Sequence, residues 1–120
     1  MLIAFTEPLP GREVVSPFGM RKLPWEEGGR LHEGVDIAAP SGVPVLAAAD
    51  GVVVAAGQDG GYGRYVQVVH AEGIRTIYAH LGAIASDIKP GAVVKIGAPI
   101  AYVGSSGSST GPHLHFEIRT

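Results

Sequence analysis

Cysteine is absent from this 120-residue chain, which excludes disulfides, thiolate metal sites and a cysteine nucleophile. The absence leaves the compartment open, because a cysteine-free domain survives in either redox setting. No apolar run approaches the roughly 20 residues of a membrane-spanning helix. The segment Met1 to Pro10 has neither a basic start nor a long apolar stretch, so it does not read as a signal peptide. Charge is scarce as well. Asp, Glu, Lys and Arg make up 17% of the residues, the net charge is -2, and the basic residues are scattered singly. With four tyrosines, three phenylalanines and no basic patch, the electrostatic footprint of a nucleic-acid-binding protein is missing. Long helical patterns are missing too, because 18 glycines and 9 prolines interrupt the chain throughout.

What remains is the composition of one folded domain, 46% hydrophobic and long enough to bury a core. Between the breakers lie short β-branched runs: Val52 to Val54, Val66 to Val69, Ile74 to Tyr78, Val93 to Ile96 and Leu114 to Ile118. Many short strands with frequent Gly/Pro turns predict an all-β domain. The clearest hairpin joins Arg64–His70 to Ile74–His80 through Ala71-Glu72-Gly73. Two irregular stretches, 22–34 and 104–112, read as loops. A weak internal echo relates Pro40-Ser41-Gly42-Val43 to Pro90-Gly91-Ala92-Val93. Residues 1–11 read as a lead segment and 12–120 as the domain.

Five histidines carry the chemistry. In Pro112-His113-Leu114-His115-Phe116-Glu117-Ile118 polarity alternates without a break. A strand then puts His113, His115 and Glu117 on one face and Leu114, Phe116 and Ile118 on the other. The two imidazoles, about 7 Å apart at Cα, can reach one small site above the sheet. His32 and Asp36 are ligand types that suit zinc. On a straight strand they would be about 13 Å apart, so the reading calls for a turn near Gly34. Three protein ligands and an open position are the usual catalytic zinc arrangement. His32, Asp36 and one of the two strand histidines supply such a set. Folding the hairpin at 71–73 sets His70 against Ile74 and His80 against Arg64, roughly 20 Å apart. One of these two can join the site, but not both.

The set His32-x-x-x-Asp36, Tyr78-Ala79-His80-Leu81 and Gly111-Pro112-His113-Leu114-His115-Phe116-Glu117 resembles the lysostaphin-type (LytM-like) zinc endopeptidases of bacterial cell walls. Ser16 to Arg21, Gly61 to Val66 and Lys89-Pro90-Gly91 agree with it, so the resemblance runs from about Arg12 to Arg119. It implies antiparallel sheets of the duplicated-hybrid-motif type with long groove-forming loops, which would account for the echo. It implies one zinc per chain on His32, Asp36 and His115, with His80 and His113 as a catalytic non-ligand pair and His70 structural or peripheral. The implied substrate is the peptide stems or cross-bridges of peptidoglycan, and the implied location is periplasmic or extracellular.

In that reading one histidine of the pair takes a proton from the attacking water, and the pair steadies the developing oxyanion and protonates the leaving amine. Loops 22–31 and 104–111 would wall the groove. Tyr62, Trp25 and Arg21 are candidates for substrate contact, while Glu33 and Glu117 read as solvated or supporting groups. Two other functions compete: a non-catalytic wall-binding or hydrolase-activating module of the same fold, and phosphoryl transfer through a histidine pair. The first would have no need of the ligands, and the second has no use for Asp36.

Overall fold

Glycine and proline turns cut the chain into nine short strands in a computed structural model, which describes residues 8–9, 14–16, 32–104 and 111–119; of residues 14–16, 32 and 33 only the backbone is described. They are β1 (Val14–Ser16), β2 (His32–Ala38), β3 (Pro44–Leu46), β4 (Gly51–Asp59), β5 (Gly63–Val69), β6 (Arg75–Ile84), β7 (Val93–Val94), β8 (Pro99–Val103) and β9 (His113–Arg119). All pairings are antiparallel, in the order β1-β2-β9-β6-β5-β4-β7, and β8 pairs with both β3 and β6. Among the described residues there is no α-helix, and no helix is long and apolar enough to cross a membrane. The all-β reading therefore holds, as does the 71–73 hairpin, whose turn is a single 3-10 turn.

The core is where the alternating patterns of the strands meet. Leu114 and Phe116 of β9 are buried with Val35 and Ile37 of β2, Val66 and Val68 of β5, and Ile100 and Val103 of β8. Leu9, from the lead segment, is buried in the same cluster, and the neighbouring Pro8 carbonyl accepts the Leu46 N–H at 2.9 Å.

The sequence echo has a counterpart in hydrogen bonding. The Pro40–Val43 turn closes with Val43 N–H donating to Pro40 O, and Lys89–Ala92 closes the same way, each with a glycine at positive φ (Gly42 at 91°, Gly91 at 96°). The first docks on β8 through Gly42 N–H to Val103 O and Val103 N–H to Val43 O. The second docks on β4 through Gly91 N–H to Val53 O and Val53 N–H to Ala92 O. Positive φ at the third residue of such a turn is the reason glycine recurs there.

His70 lies in this core and is accounted for by it. Its Nδ1 is 2.7 Å from the Asp50 carbonyl and its Nε2 2.7 Å from Thr76 Oγ1. Thr76 Oγ1 is 2.8 Å from the Tyr78 hydroxyl, which accepts the Ala48 N–H at 3.0 Å. A carbonyl can only accept, so Nδ1 carries the proton. The Thr76 hydroxyl thus links the imidazole to the Tyr78 phenol. Burial pushes the Tyr78 phenol up to about 12, against the opposing effect of its hydrogen bonds with Ala48 and Thr76. Tyr78→Phe strands the buried Ala48 N–H and is expected to cost about 1–3 kcal/mol. The measurement is a urea melt, with a lower midpoint at unchanged slope; an unchanged midpoint contradicts the chain.

Candidate active site

The polar face of β9 builds the site. Its neighbours set the register: Asp36 of β2 lies opposite His115, Gly34 opposite Glu117 and Ala38 opposite His113, while Ala79 of β6 lies opposite His115 from the other side. Alternation sends Leu114 and Phe116 inward (0% and 4% exposed) and leaves His113, His115, Glu117 and Arg119 on the opposite face.

His80 reaches that face by breaking alternation. Tyr78 and Leu81 of β6 are both fully buried, so two residues rather than one fit between them. The pairing with β5 slips accordingly, from Val66 opposite Tyr78 to Arg64 opposite Leu81. His80 takes up the extra residue in the left-handed region (φ 61°) and donates its N–H to the Tyr62 carbonyl at 2.8 Å. This is a β-bulge, a device that re-aims a side chain, and a non-glycine residue there is held by its surroundings at some strain. It corrects the expected pairing of His80 with Arg64: that position belongs to Leu81. The result is an imidazole whose ring centre is 5.1 Å from that of His113 and 6.0 Å from that of His115. Of the two hairpin histidines, the structure brings His80 to the site and leaves His70 in the core.

The polar contacts converge on Asp36. His115 Nδ1 is 2.7 Å from Asp36 Oδ1, and His113 Nε2 is 3.8 Å from the same oxygen. His113 Nδ1 lies 2.9 Å from the Gly111 carbonyl, which again requires the proton on Nδ1. Neutral His113 therefore presents an Nε2 lone pair on the side of Asp36. The other nitrogen of His115, Nε2, is 2.8 Å from Glu117 Oε2.

Glu117 is buried, so of the two readings open to it, solvated or supporting, the first does not hold. The Tyr62 hydroxyl lies 3.0 and 3.1 Å from its two oxygens, and Arg119 Nε donates to Oε1 at 3.0 Å. Burial would lift the Glu117 carboxyl, but hydrogen bonds from His115 and Tyr62 and the charges of Arg119 and His115 outweigh it, bringing it down to about 2. The hydrogen bond to Glu117 raises the His115 pKa, burial opposes this, and the Asp36 contact adds to the rise.

The expected turn at Gly34 is not there. β2 pairs with β9 residue by residue from His32 opposite Arg119 to Ala38 opposite His113, without a slip. Gly34 serves a different purpose. A Cβ at that position would lie 3.3 Å from His115 Cε1 and 3.4 Å from Glu117 Cγ, so the missing side chain is room for the two groups of β9 that lie over it. The side chain of His32 lies outside the described residues, as do that of Glu33, Trp25, Arg21, loop 22–31 and residues 105–110 of the second loop. Tyr62, the remaining candidate for substrate contact, sits on the site face with its ring stacked on His115 (6.3 Å, 28°).

Asp36 and His115 bring one carboxylate oxygen and one imidazole nitrogen together, donor types that suit zinc. Their 2.7 Å separation is that of a hydrogen bond, shorter than the about 3.3 Å between two ligands of a tetrahedral ion with bonds near 2.0–2.1 Å. Among the described residues no three His, Asp or Glu side chains form a group that could hold a metal ion, and the His32 side chain lies outside them. The pair fits an ion that replaces the shared proton.

Known proteins resemble this chain in sequence and fold. Residues 30–120 match the model of peptidase family M23. The chain is 50% identical over 113 residues to the DD-carboxypeptidase/endopeptidase Mpg of Neisseria meningitidis, which covers 94% of this chain and 26% of that protein. The catalytic domain of lysostaphin from Staphylococcus simulans superposes with a TM-score of 0.74 at 36% identity, covering 91% of this chain and 81% of that one. A zinc-containing peptidase from Vibrio cholerae superposes with a TM-score of 0.78 at 34% identity, covering 97% of this chain and 37% of that one. The chain thus spans about a quarter of the length of the curated relative it matches. The two superpositions share its antiparallel fold, the lysostaphin-type motifs lie inside the matched span, and the chain belongs to peptidase family M23.

Proposed function

We propose that this chain is a zinc endopeptidase that hydrolyses the peptide cross-links of bacterial peptidoglycan, working in the periplasm or cell wall. The observation that carries the proposal is the meeting of Asp36, His80, His113 and His115 on one sheet face, with a bulge re-aiming His80 to join them. The name of a Vibrio cholerae relative, a peptidoglycan DD-endopeptidase, supports the substrate class, and those of the Neisseria DD-carboxypeptidase/endopeptidase and the antimicrobial peptidase lysostaphin support peptidase chemistry.

Asp36 and His115 would hold the zinc, one ion per chain; the third ligand implied by the resemblance, His32, would join them through a bend in β2, which runs alongside β9 without a slip from His32 to Ala38. Activation of water and polarisation of the scissile carbonyl are the chemistry zinc supplies when bound. The remaining steps belong to the protein. His113 holds its Nε2 lone pair toward the site and receives a proton there. Histidine suits this because its ordinary pKa lies near working pH. His80, beside it, donates to the oxygen that gains charge, and the pair returns the proton to the leaving amine. Tyr62, stacked beside His115, would contact the peptide.

The test is a digest of peptidoglycan from several bacterial types, with the products identified by mass. Cleavage within the cross-linking peptides is expected, with loss on treatment with chelator and recovery when zinc is added. Intact cross-links from a protein that carries one zinc per chain would instead favour the non-catalytic module.

A further inference from the structure

Glu117 is tied down far more thoroughly than a surface carboxylate requires. Its side chain is 8% exposed, and its oxygens meet Tyr62, Arg119 and His115 within 3.1 Å. Arg119 also reaches the Tyr62 hydroxyl at 2.9 Å, so the two groups that hold the carboxylate hold each other. Gly34, across from it, leaves the space in which Glu117 and the His115 ring lie together. None of these contacts faces Asp36. Glu117 meets the far edge of the His115 ring, at Nε2, while Nδ1 faces the carboxylate of Asp36.

We propose that Glu117, braced by Tyr62 and Arg119, is a positioning residue that fixes the rotation of His115 and reserves its Nδ1 for the metal. A carboxylate accepts only, so Nε2 must keep its proton, and in a ring that has given up its other proton the lone pair is then on Nδ1. Without the brace the ring can turn over and offer either nitrogen. Carboxylate partners of this kind orient metal-bound imidazoles and raise their basicity, and losing one weakens metal binding by roughly 10–100-fold. The inference rests on the zinc reading of the site.

The experiment compares Glu117→Ala, Glu117→Gln and Tyr62→Phe with the parent protein by two readouts. Zinc affinity, from competition with a chelator, is expected to fall roughly 10–100-fold in Glu117→Ala. It should fall less in Glu117→Gln, which keeps a carbonyl acceptor, and in Tyr62→Phe, which loosens the brace. In the metal-free proteins, nitrogen-resolved NMR should show a slowly exchanging Nε2 proton on His115 in the parent that is lost in Glu117→Ala. If Glu117→Ala does not fold, the other two variants carry the test. Parent-like zinc affinity in every folded variant overturns the positioning role and leaves the hydrolase reading intact. A parent protein that takes up no zinc overturns the hydrolase reading, and the positioning role falls with it.

Discussion

Asp36→Ala protein is expected to emerge without zinc and with no measurable hydrolysis of peptidoglycan. Asp36 Oδ1 is 2.7 Å from His115 Nδ1 and 3.8 Å from His113 Nε2. On the proposed reading, removing Asp36 takes away a ligand rather than a ligand's support, so the loss should exceed the roughly 10–100-fold that an outer partner is worth. The fold should survive, because the Asp36 side chain is 37% exposed while its neighbours Val35 and Ile37 carry the packing. The check is metal content per chain beside the rate of release of soluble muropeptides. A variant that retains a full complement of zinc and cleaves at the parent's rate would sink the assignment of Asp36.

The second large effect belongs to the histidine pair and separates chemistry from metal binding. His80→Ala and His113→Ala are each expected to keep zinc and to lose roughly 100-fold or more in kcat, the scale of general acid–base catalysis. The rings lie side by side, and neither makes the 2.7 Å contact with Asp36 that His115 makes. His113 differs from His115 in what holds it: the Gly111 carbonyl takes its Nδ1 proton and leaves Nε2 for the site. The double variant should be little worse than either single one, because groups that act as a unit are not additive. His70→Ala is the informative contrast. His70 is 5% exposed within the Asp50–His70–Thr76–Tyr78 chain, so the loss there is one of stability. Parent-like rates in the His80 and His113 variants would remove both from the mechanism.

The residues differ in how far their roles could be read without coordinates. The alternation from His113 to Ile118 needs only the period of a strand, and it led directly to the polar and buried faces of β9. The hairpin turn at 71–73 followed from Gly73 and the flanking β-branched runs. His80 was beyond such reasoning, because a bulge adds one residue to a strand and nothing in Tyr78-Ala79-His80-Leu81 announces it apart from the two large apolar residues with two others between them. Gly34 misled for a related reason. Glycine marks both turns and close approaches, and which applies depends on what the neighbouring strand sets against it, here His115 and Glu117. The burial of Glu117 needed Tyr62 and Arg119 to be adjacent, and only the second is visible in the sequence, as the next step of the same alternation. The short strands β3 and β8 escaped notice because a proline opens each and weakens the pattern, and β1 because it has only three residues.

The register between β2 and β9 has one more consequence. Sliding the two strands by a single residue would turn His113, His115, Glu117 and Arg119 toward the interior and Leu114 and Phe116 toward water. Such a slip could not persist, since it would bury charges and expose apolar side chains together. The chain therefore carries its own proofreading: an arrangement that misplaces the histidines is also one that cannot stay folded, and any molecule that survives has the site assembled.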